Sequence, residues 1–277
     1  NYNISVFLID KIAHLIAFIF VNFESKGGKI AKYNISLVFP KYSKDKVDEI
    51  FFKSSKITII NGLNKILERL LYFTNYYKSI KYTIPEQMIK DIDEYGVVLV
   101  GSHFGNFEDI KYLGKFINRE VNLVYKNQNT WLLYILYYMK ILNPKNLFHK
   151  LNYIKYINKK TFNKLLKLTK DVTVLGCDRK ARNFDKKKIF FLNQLVKFHY
   201  GPAVLALKTK KKIWSCALTY NLDTKQQNWE FVNISSQLSS NLSLHKITQK
   251  IADELTKKII ESPEQYMWIY NRFNLKI

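Results

Sequence analysis

Cysteine is scarce in this chain, which has 277 residues and two cysteines, Cys177 and Cys216. Two isolated cysteines cannot build the disulfide framework of a small secreted domain, and they lack the paired spacing of a structural zinc site. They therefore indicate a protein of a reducing compartment. Because Cys177 stands in an apolar stretch, we interpret it as a small core residue.

Acidic residues are also few: 22 Asp and Glu face 45 Lys and Arg, which gives a formal net charge of +23. Such an excess attracts polyanions, namely nucleic acid, an anionic membrane face or an acidic partner. The clusters at residues 186–188 and 210–212, taken singly, predict solvated surfaces. Nucleic-acid binding would need a recognisable module or a basic face with stacking aromatics. The sequence shows neither, so we do not expect nucleic acid as a partner.

An uninterrupted hydrophobic run long enough for a clean membrane span is missing. Residues 6–21 are strongly apolar but include Asp10, Lys11 and His14, and a span needs about 20 mostly apolar residues. Three interpretations stay open: part of a membrane helix, a helix lying in the membrane interface, or a buried core helix. Because the sequence begins at Asn1 rather than Met, we expect that a native N-terminal segment precedes it.

Internal repeats and low-complexity linkers are absent, and strand-helix units fill most of the chain. Apolar runs at residues 97–100, 121–125 and 172–176 predict buried strands, each followed by polar side chains. Residues 213–220 and 229–234 predict two further strands, antiparallel at a sheet edge. Helices are predicted at 44–73 with Ser43 as N-cap, 107–116, 131–142, 161–169, 201–208 and 244–261, and a last short helix from 262.

These elements predict an α/β fold with a mostly parallel central sheet flanked by helices. We expect an N-terminal helical, membrane-associating segment over residues 1–80 and an α/β domain over 81–277.

Chemistry is predicted in the turn after the strand at residues 97–100. Gly101 and Gly105 permit a sharp turn around His103. Of the five histidines, His103 alone is followed by an acid five residues later, Glu108. The alternative is a surface turn with an incidental histidine. A serine-hydrolase elbow has Ser at its centre; the centre here is His103, which favours a histidine acting on a substrate hydroxyl. We expect His103 to be a general base, with Glu108 holding its tautomer and stabilising its cation.

The segment from His103 to Glu108 resembles the H-x4-E block of the late acyltransferases of lipid A biosynthesis, within the lysophospholipid acyltransferase superfamily. Residues 263–268 resemble the family's P-E-Q-W-x-W motif, with Tyr266 at the position of the first Trp. Lys126 stands where the family commonly has Arg. Other segments resemble the family in order along the chain: 34–43, 124–127, 178–179, 201–207 and 272–273.

This resemblance implies a glycerolipid acyltransferase-like fold and an O-acyltransferase with a His/Glu dyad. The expected reaction moves a fatty acyl chain from an acyl carrier protein thioester to a hydroxyl of a lipid A precursor or related phosphorylated glycolipid. No cofactor and no metal are implied. The partners would be acyl carrier protein and the anionic inner membrane of a bacterium, on its cytoplasmic face, with peripheral attachment or one N-terminal helix.

The catalytic pair under this resemblance is His103 and Glu108. Gly105 or Asn106 would bind the oxyanion. Lys126 and Arg179 would hold the acceptor's phosphate or the oxyanion, with Asp178 fixing Arg179.

The aromatic stretch 131–142 would line the acyl groove. Two alternatives remain: an acyltransferase for another membrane lipid, and a non-enzymatic basic protein binding nucleic acid.

Overall fold

The computed structural model describes residues 2–23, 25–70, 80–125, 150–155, 159–179, 188–239 and 242–275. Lys126 and the predicted helix 131–142 lie outside these ranges. The helices are α1 (Tyr2–Asn22), α2 (Lys26–Val38), α3 (Lys44–Leu70), α4 (Glu86–Glu94), α5 (Leu113–Ile117), α6 (Lys159–Leu165), α7 (Gly201–Thr209) and α8 (Leu244–Glu261). Short 3-10 helices cover Phe107–Tyr112, Ser235–Gln237 and Pro263–Gln265.

The strands form a seven-stranded sheet and a separate hairpin. They are β1 (Ile80–Tyr82), β2 (Val97–Gly101), β3 (Val121–Tyr125), β4 (Leu151–Lys155), β5 (Val172–Gly176), β6 (Ile189–Phe191), β7 (Gln194–Val196), β8 (Lys212–Tyr220) and β9 (Gln227–Asn233). The sheet order is β1-β9-β8-β2-β5-β3-β4, and β6 pairs with β7. Within the large sheet, β8 and β9 pair antiparallel and the other pairs are parallel. The predicted α/β fold, with its mostly parallel sheet and N-terminal helices, is confirmed.

Strand β2 lies near the middle of this sheet and is buried along its whole length. Its side chains alternate between two cores because successive residues of a strand point to opposite faces. Val98 and Val100 join the core that also holds apolar residues of α2, α3, α7 and α8. Val97 and Leu99 join the core beneath α4 and the segment 107–117. Helices on both faces explain why the strand is a continuous apolar run.

The N-terminal helices pack onto the α/β core. Ala31, Ile35 and Val38 of α2 are buried in the first core. The side-chain amide of Asn34 donates to the carbonyl oxygens of Trp268 and Tyr270, at 2.8 Å each. Helix α2 therefore anchors the C-terminal part of the described chain.

Helix α1 is attached through its inner face. Ile9 and Ala13 are buried in a small cluster with residues of α3. Asp10 forms ion pairs with Lys56 of α3 at 2.9 Å and with Lys225 of the β8–β9 connection at 2.6 Å. These pairs fix which face of α1 points inward and which faces away from the protein.

The C-terminal segment differs from the predicted short helix. Only Pro263–Gln265 is helical, as a 3-10 turn, and Tyr266 then forms an antiparallel bridge with Phe104. The reason is that backbone groups which a helix would pair internally bond to the turn after β2 instead: the Met267 N–H donates to the His103 carbonyl oxygen at 2.9 Å.

Candidate active site

The site forms where two neighbouring parallel strands end. Gly101 of β2 and Gly176 of β5 are partners in register, and the Cys177 N–H continues the pairing by donating to the Gly101 carbonyl oxygen at 3.0 Å. His103 and Asp178 each lie two residues beyond these paired glycines. Because β2 and β5 are parallel and in register, residues at equal distances beyond their ends lie at the same edge of the sheet. The two side chains therefore emerge side by side.

The two side chains form a close hydrogen-bonded pair. The His103 Nδ1 atom lies 2.8 Å from Asp178 Oδ1, and the His103 backbone N–H donates to Asp178 Oδ2 at 3.1 Å. The imidazole is 30% exposed, whereas the carboxylate is 3% exposed. This geometry suits a base whose Nδ1–H is fixed by a buried acid while the remainder of the ring faces the solvent side.

The Asp178 carboxylate is held in its ionised form. Its burial opposes ionisation, but the positive charge of His103, the hydrogen bonds from the His103 ring and backbone, and the charge of Arg272 together lower its pKa to about 2. The Tyr266 hydroxyl also donates to Asp178 Oδ2, at 3.0 Å. Asp178 is therefore an anion at neutral pH.

Arg272 is the buried cation of this site. Arg272 is 3% exposed, and its guanidinium carbon lies 5.2 Å from the ring centre of Phe191 and 5.5 Å from the ring centre of Phe198. Burial lowers the pKa of Arg272. The two rings thus hold a positive charge beside the His103–Asp178 pair.

The turn after β2 depends on glycine at two positions. Gly105 has φ +54°, and a Cβ atom there would lie 1.6 Å from the Leu218 carbonyl oxygen. A Cβ atom on Gly101 would lie 2.1 Å from the Phe107 ring. The predicted sharp turn around His103 is confirmed, with Gly105 supplying the left-handed backbone and Gly101 the space for Phe107.

The backbone N–H groups of Gly105 and Asn106 are hydrogen-bonded within the turn, and their expected oxyanion role stays a prediction. The Gly105 N–H donates to the Gln265 carbonyl oxygen at 2.7 Å, and the Asn106 N–H donates to that of Leu218 at 3.0 Å. The Asn106 side chain is buried, and its amide donates to Asp109. These hydrogen bonds hold the turn together.

Glu108 is exposed in the turn that carries His103. Phe107 packs beneath Gly101, and the next residue, Glu108, is exposed at the start of the 3-10 helix. The hydrogen bond of the His103 ring goes to Asp178. The ring therefore has the acid from the neighbouring strand as its partner, because β5 is in register with β2. A role for Glu108 in the reaction stays a prediction.

Of the two cations expected to hold the acceptor's phosphate, the structure describes only Arg179. The Arg179 guanidinium carbon lies 5.5 Å from the Tyr270 ring centre, and the side chain is partly buried. The Asp178 oxygens, expected to fix Arg179, bond to His103 and Tyr266 instead. Lys126 lies outside the described residues, so its assignment stays a prediction.

Two site residues had no role in the sequence interpretation, Tyr266 and Arg272. They lie 88 and 94 positions after Asp178 in the chain. The Tyr266 hydroxyl nevertheless donates a hydrogen bond directly to Asp178. In the sequence, these residues were indicated only by the resemblance of 263–268 and 272–273 to a family motif. That resemblance assigned no role to either side chain. Within the described ranges, no group of three or more His, Cys, Asp or Glu side chains is arranged to hold a metal ion.

Helix α1 has an apolar face that nothing in the described chain covers. Its most exposed large side chains are Phe7, Leu8, Leu15, Phe18 and, just after the helix, Phe23. Exposed apolar surface on this scale marks an interaction site. In the part of the chain that the structure describes, no helix combines the length and apolarity needed to cross a bilayer.

Comparison with protein families shows that residues 4–275 match the family described as bacterial lipid A biosynthesis acyltransferase. The match covers nearly the whole chain, including the turn that carries His103, the end of β5 and the C-terminal segment. A comparison with individually curated proteins finds no significant match.

Proposed function

The chain belongs to the bacterial lipid A biosynthesis acyltransferase family, and from this premise we propose that it moves a fatty acyl chain from an acyl carrier protein thioester to a hydroxyl of a lipid A precursor or related phosphorylated glycolipid. The observation that carries this proposal is the hydrogen bond of 2.8 Å between a partly exposed imidazole and a buried carboxylate. This pair can deprotonate a hydroxyl without a covalent enzyme intermediate.

In the proposed reaction, His103 is the general base. With Nδ1–H donated to Asp178, Nε2 accepts the proton of the acceptor hydroxyl as its oxygen attacks the thioester carbonyl carbon. The new C–O bond forms and a tetrahedral intermediate results. Its collapse breaks the C–S bond, and the imidazolium returns the proton to the departing thiolate. The products are the acylated lipid and the free thiol of the carrier.

Asp178 stabilises the cation that forms on His103 during attack. Its low pKa keeps it negative throughout the cycle, and its burial strengthens the attraction between the two charges. Glu108, exposed five residues after His103, stays proposed as a second acid of the site. Lys126 and Arg179 stay proposed as partners of the acceptor's phosphate.

The surface of α1 and the positive charge support peripheral attachment to an anionic membrane. Most of the side chains that α1 exposes are apolar, with Lys11 and His14 exposed among them, and the chain carries +23. An apolar helix face buried at the headgroup boundary, assisted by attraction to anionic lipids, is the usual arrangement of an interfacial helix. We propose the cytoplasmic face of the inner membrane as this surface. The same positive charge favours encounter with an acidic carrier protein.

The test is expression in a bacterial host that lacks its late lipid A acyltransferases, followed by mass spectrometry of the extracted lipids. We expect an added acyl chain on the lipid A precursor with the wild-type protein and none with His103→Ala. An added chain on a phospholipid instead would assign another membrane lipid as acceptor. An acylation pattern that is the same for both proteins would refute the mechanism.

A further inference from the structure

The C-terminal segment 265–267 lies along the turn that carries His103. The Gly105 N–H donates to the Gln265 carbonyl oxygen at 2.7 Å, and the Met267 N–H donates to the His103 carbonyl oxygen at 2.9 Å. Tyr266 lies between these two bonds and is the bridge partner of Phe104. The backbone on both sides of Tyr266 is therefore fixed to the catalytic turn.

The Tyr266 side chain reaches the acid of the catalytic pair. Its residue is 3% exposed, and its hydroxyl donates to Asp178 Oδ2 at 3.0 Å. That oxygen also accepts the His103 backbone N–H, whereas Oδ1 faces the ring. Two donors on one oxygen fix the rotation of the carboxylate, and the second oxygen is thereby aimed at Nδ1.

We propose that Tyr266 is a positioning residue for acyl transfer, whose hydroxyl holds the Asp178 carboxylate in the orientation that fixes the His103 ring. The inference rests on the proposed function, which makes His103 the base. A purely space-filling role would need only the ring, and the hydroxyl would then be a buried polar group that costs free energy unless bonded. Among the described residues, the hydrogen bond of that hydroxyl goes to Asp178.

The charged and titratable groups around Asp178 agree with this role. His103 and Arg272 lower the pKa of Asp178. Burial, and then the negative charge of Asp178, raise the pKa of Tyr266 well above its ordinary value. Burial raises the pKa of the preceding Cys177. The hydroxyl of Tyr266 therefore stays protonated and remains a donor at neutral pH.

A double-mutant cycle tests the inference with purified protein, dodecanoyl-acyl carrier protein and the lipid acceptor from the acyltransferase-deficient host. Tyr266→Phe should lower kcat about 5- to 20-fold with KM changed less than about twofold, because one bond to a charged group is lost. In the Asp178→Asn background, Tyr266→Phe should have no further effect, because residues that act through one another are not additive. Equal losses in both backgrounds, or no loss, would overturn the inference.

A measurement without substrate separates this inference from the proposed function. In protein with 15N-labelled histidine, the Nδ1–H of His103 should give a hydrogen-bonded proton signal, assigned by its absence in His103→Asn. We expect Tyr266→Phe to lose or broaden this signal. The control Tyr112→Phe, at a buried tyrosine of the opposite core, should keep it. A sharp, unshifted signal in Tyr266→Phe refutes positioning, even if His103→Ala proves fully active and the proposed function fails.

A second variant guards against loss of folding. Tyr266→Trp places the residue of the family motif at this position, and its indole N–H is a donor. We expect it to retain the His103 signal and more activity than Tyr266→Phe. A Trp variant that folds, as judged by its thermal midpoint, and behaves like the Phe variant would contradict a role for the donor.

Discussion

Replacing Asp178 with Asn keeps the size of the side chain but removes its charge and half of its capacity to accept hydrogen bonds. In the structure, Oδ1 faces Nδ1 of His103, and Oδ2 accepts both the His103 backbone N–H and the Tyr266 hydroxyl. An amide cannot satisfy all three. If its oxygen faces the ring, its NH2 group meets two donors.

The opposite orientation of the amide is equally unfavourable. With the NH2 group toward the ring, Nδ1 must accept, so the proton of the neutral ring moves to Nε2. His103 could then no longer take a proton from a hydroxyl at Nε2. In either orientation the imidazolium loses its buried counter-ion.

The expected cost follows from these contacts. Hydrogen bonds to charged groups are worth about 1.5 to 3 kcal/mol each, and the variant loses the charge-assisted bond to the ring and strains a second one. We expect a loss of about 3 to 5 kcal/mol of transition-state stabilisation, equivalent to a fall in kcat of about 10²- to 10⁴-fold. KM should change little, because Asp178 is 2% exposed and does not face the solvent side where substrate binds.

The assay is the initial rate of acyl transfer from dodecanoyl-acyl carrier protein. Asp91→Asn is the matched control, because Asp91 is also buried and accepts the Trp214 indole N–H at 2.8 Å, on helix α4 and outside the turn after β2. Glu108→Gln is the comparison, since the resemblance implies a role for that acid. A folded Asp178→Asn protein with kcat within about threefold of wild type would refute the assignment of Asp178 as the partner of His103.

Three further outcomes are expected. Gly105→Ala should destabilise the protein by about 3 kcal/mol or more, measured by urea unfolding, because its Cβ would overlap the Leu218 carbonyl oxygen; an unchanged midpoint would contradict the description of the turn. Leu15→Glu with Phe18→Glu should strongly reduce sedimentation with anionic phospholipid vesicles while leaving the thermal midpoint unchanged, because both side chains are more than half exposed; undiminished binding would remove α1 as the contact. The folded-state pKa of Asp178 is about 2, below its ordinary 3.8, so its contribution to stability is present above about pH 4 and is lost as pH falls toward 2. Over that window, wild type should lose more stability than Asp178→Asn. Parallel curves of stability against pH for the two proteins would argue against the depressed pKa.

Local pattern was sufficient for most of the secondary structure. The apolar run before Gly101 predicted β2, because a strand that is buried on both faces has apolar side chains at successive positions. Residues 244–261 were predicted as a helix, and α8 has the same bounds in the structure, where the Ser243 side chain caps it and the buried positions recur at helical spacing. The α/β class follows from such elements alternating along the chain.

The partner of His103 could not be found in this way. Glu108 was the nearest acid in sequence, whereas Asp178, 75 residues away, is the nearest in space. The difference arises from strand order: β5 lies beside β2 and in register with it, although β3 and β4 come between them in the chain.

The sequence by itself determined the central strands and the long helices, the histidine turn with its glycines and the family. These are encoded by spacing, residue size and backbone freedom over a few positions. Tertiary structure alone decided that Asp178 meets the ring, that the backbone N–H groups of Gly105 and Asn106 are used within the turn, and that Tyr266 returns to the site. Such contacts depend on which strands pair and on where the C-terminal segment packs. Periodicity along the chain indicates neither.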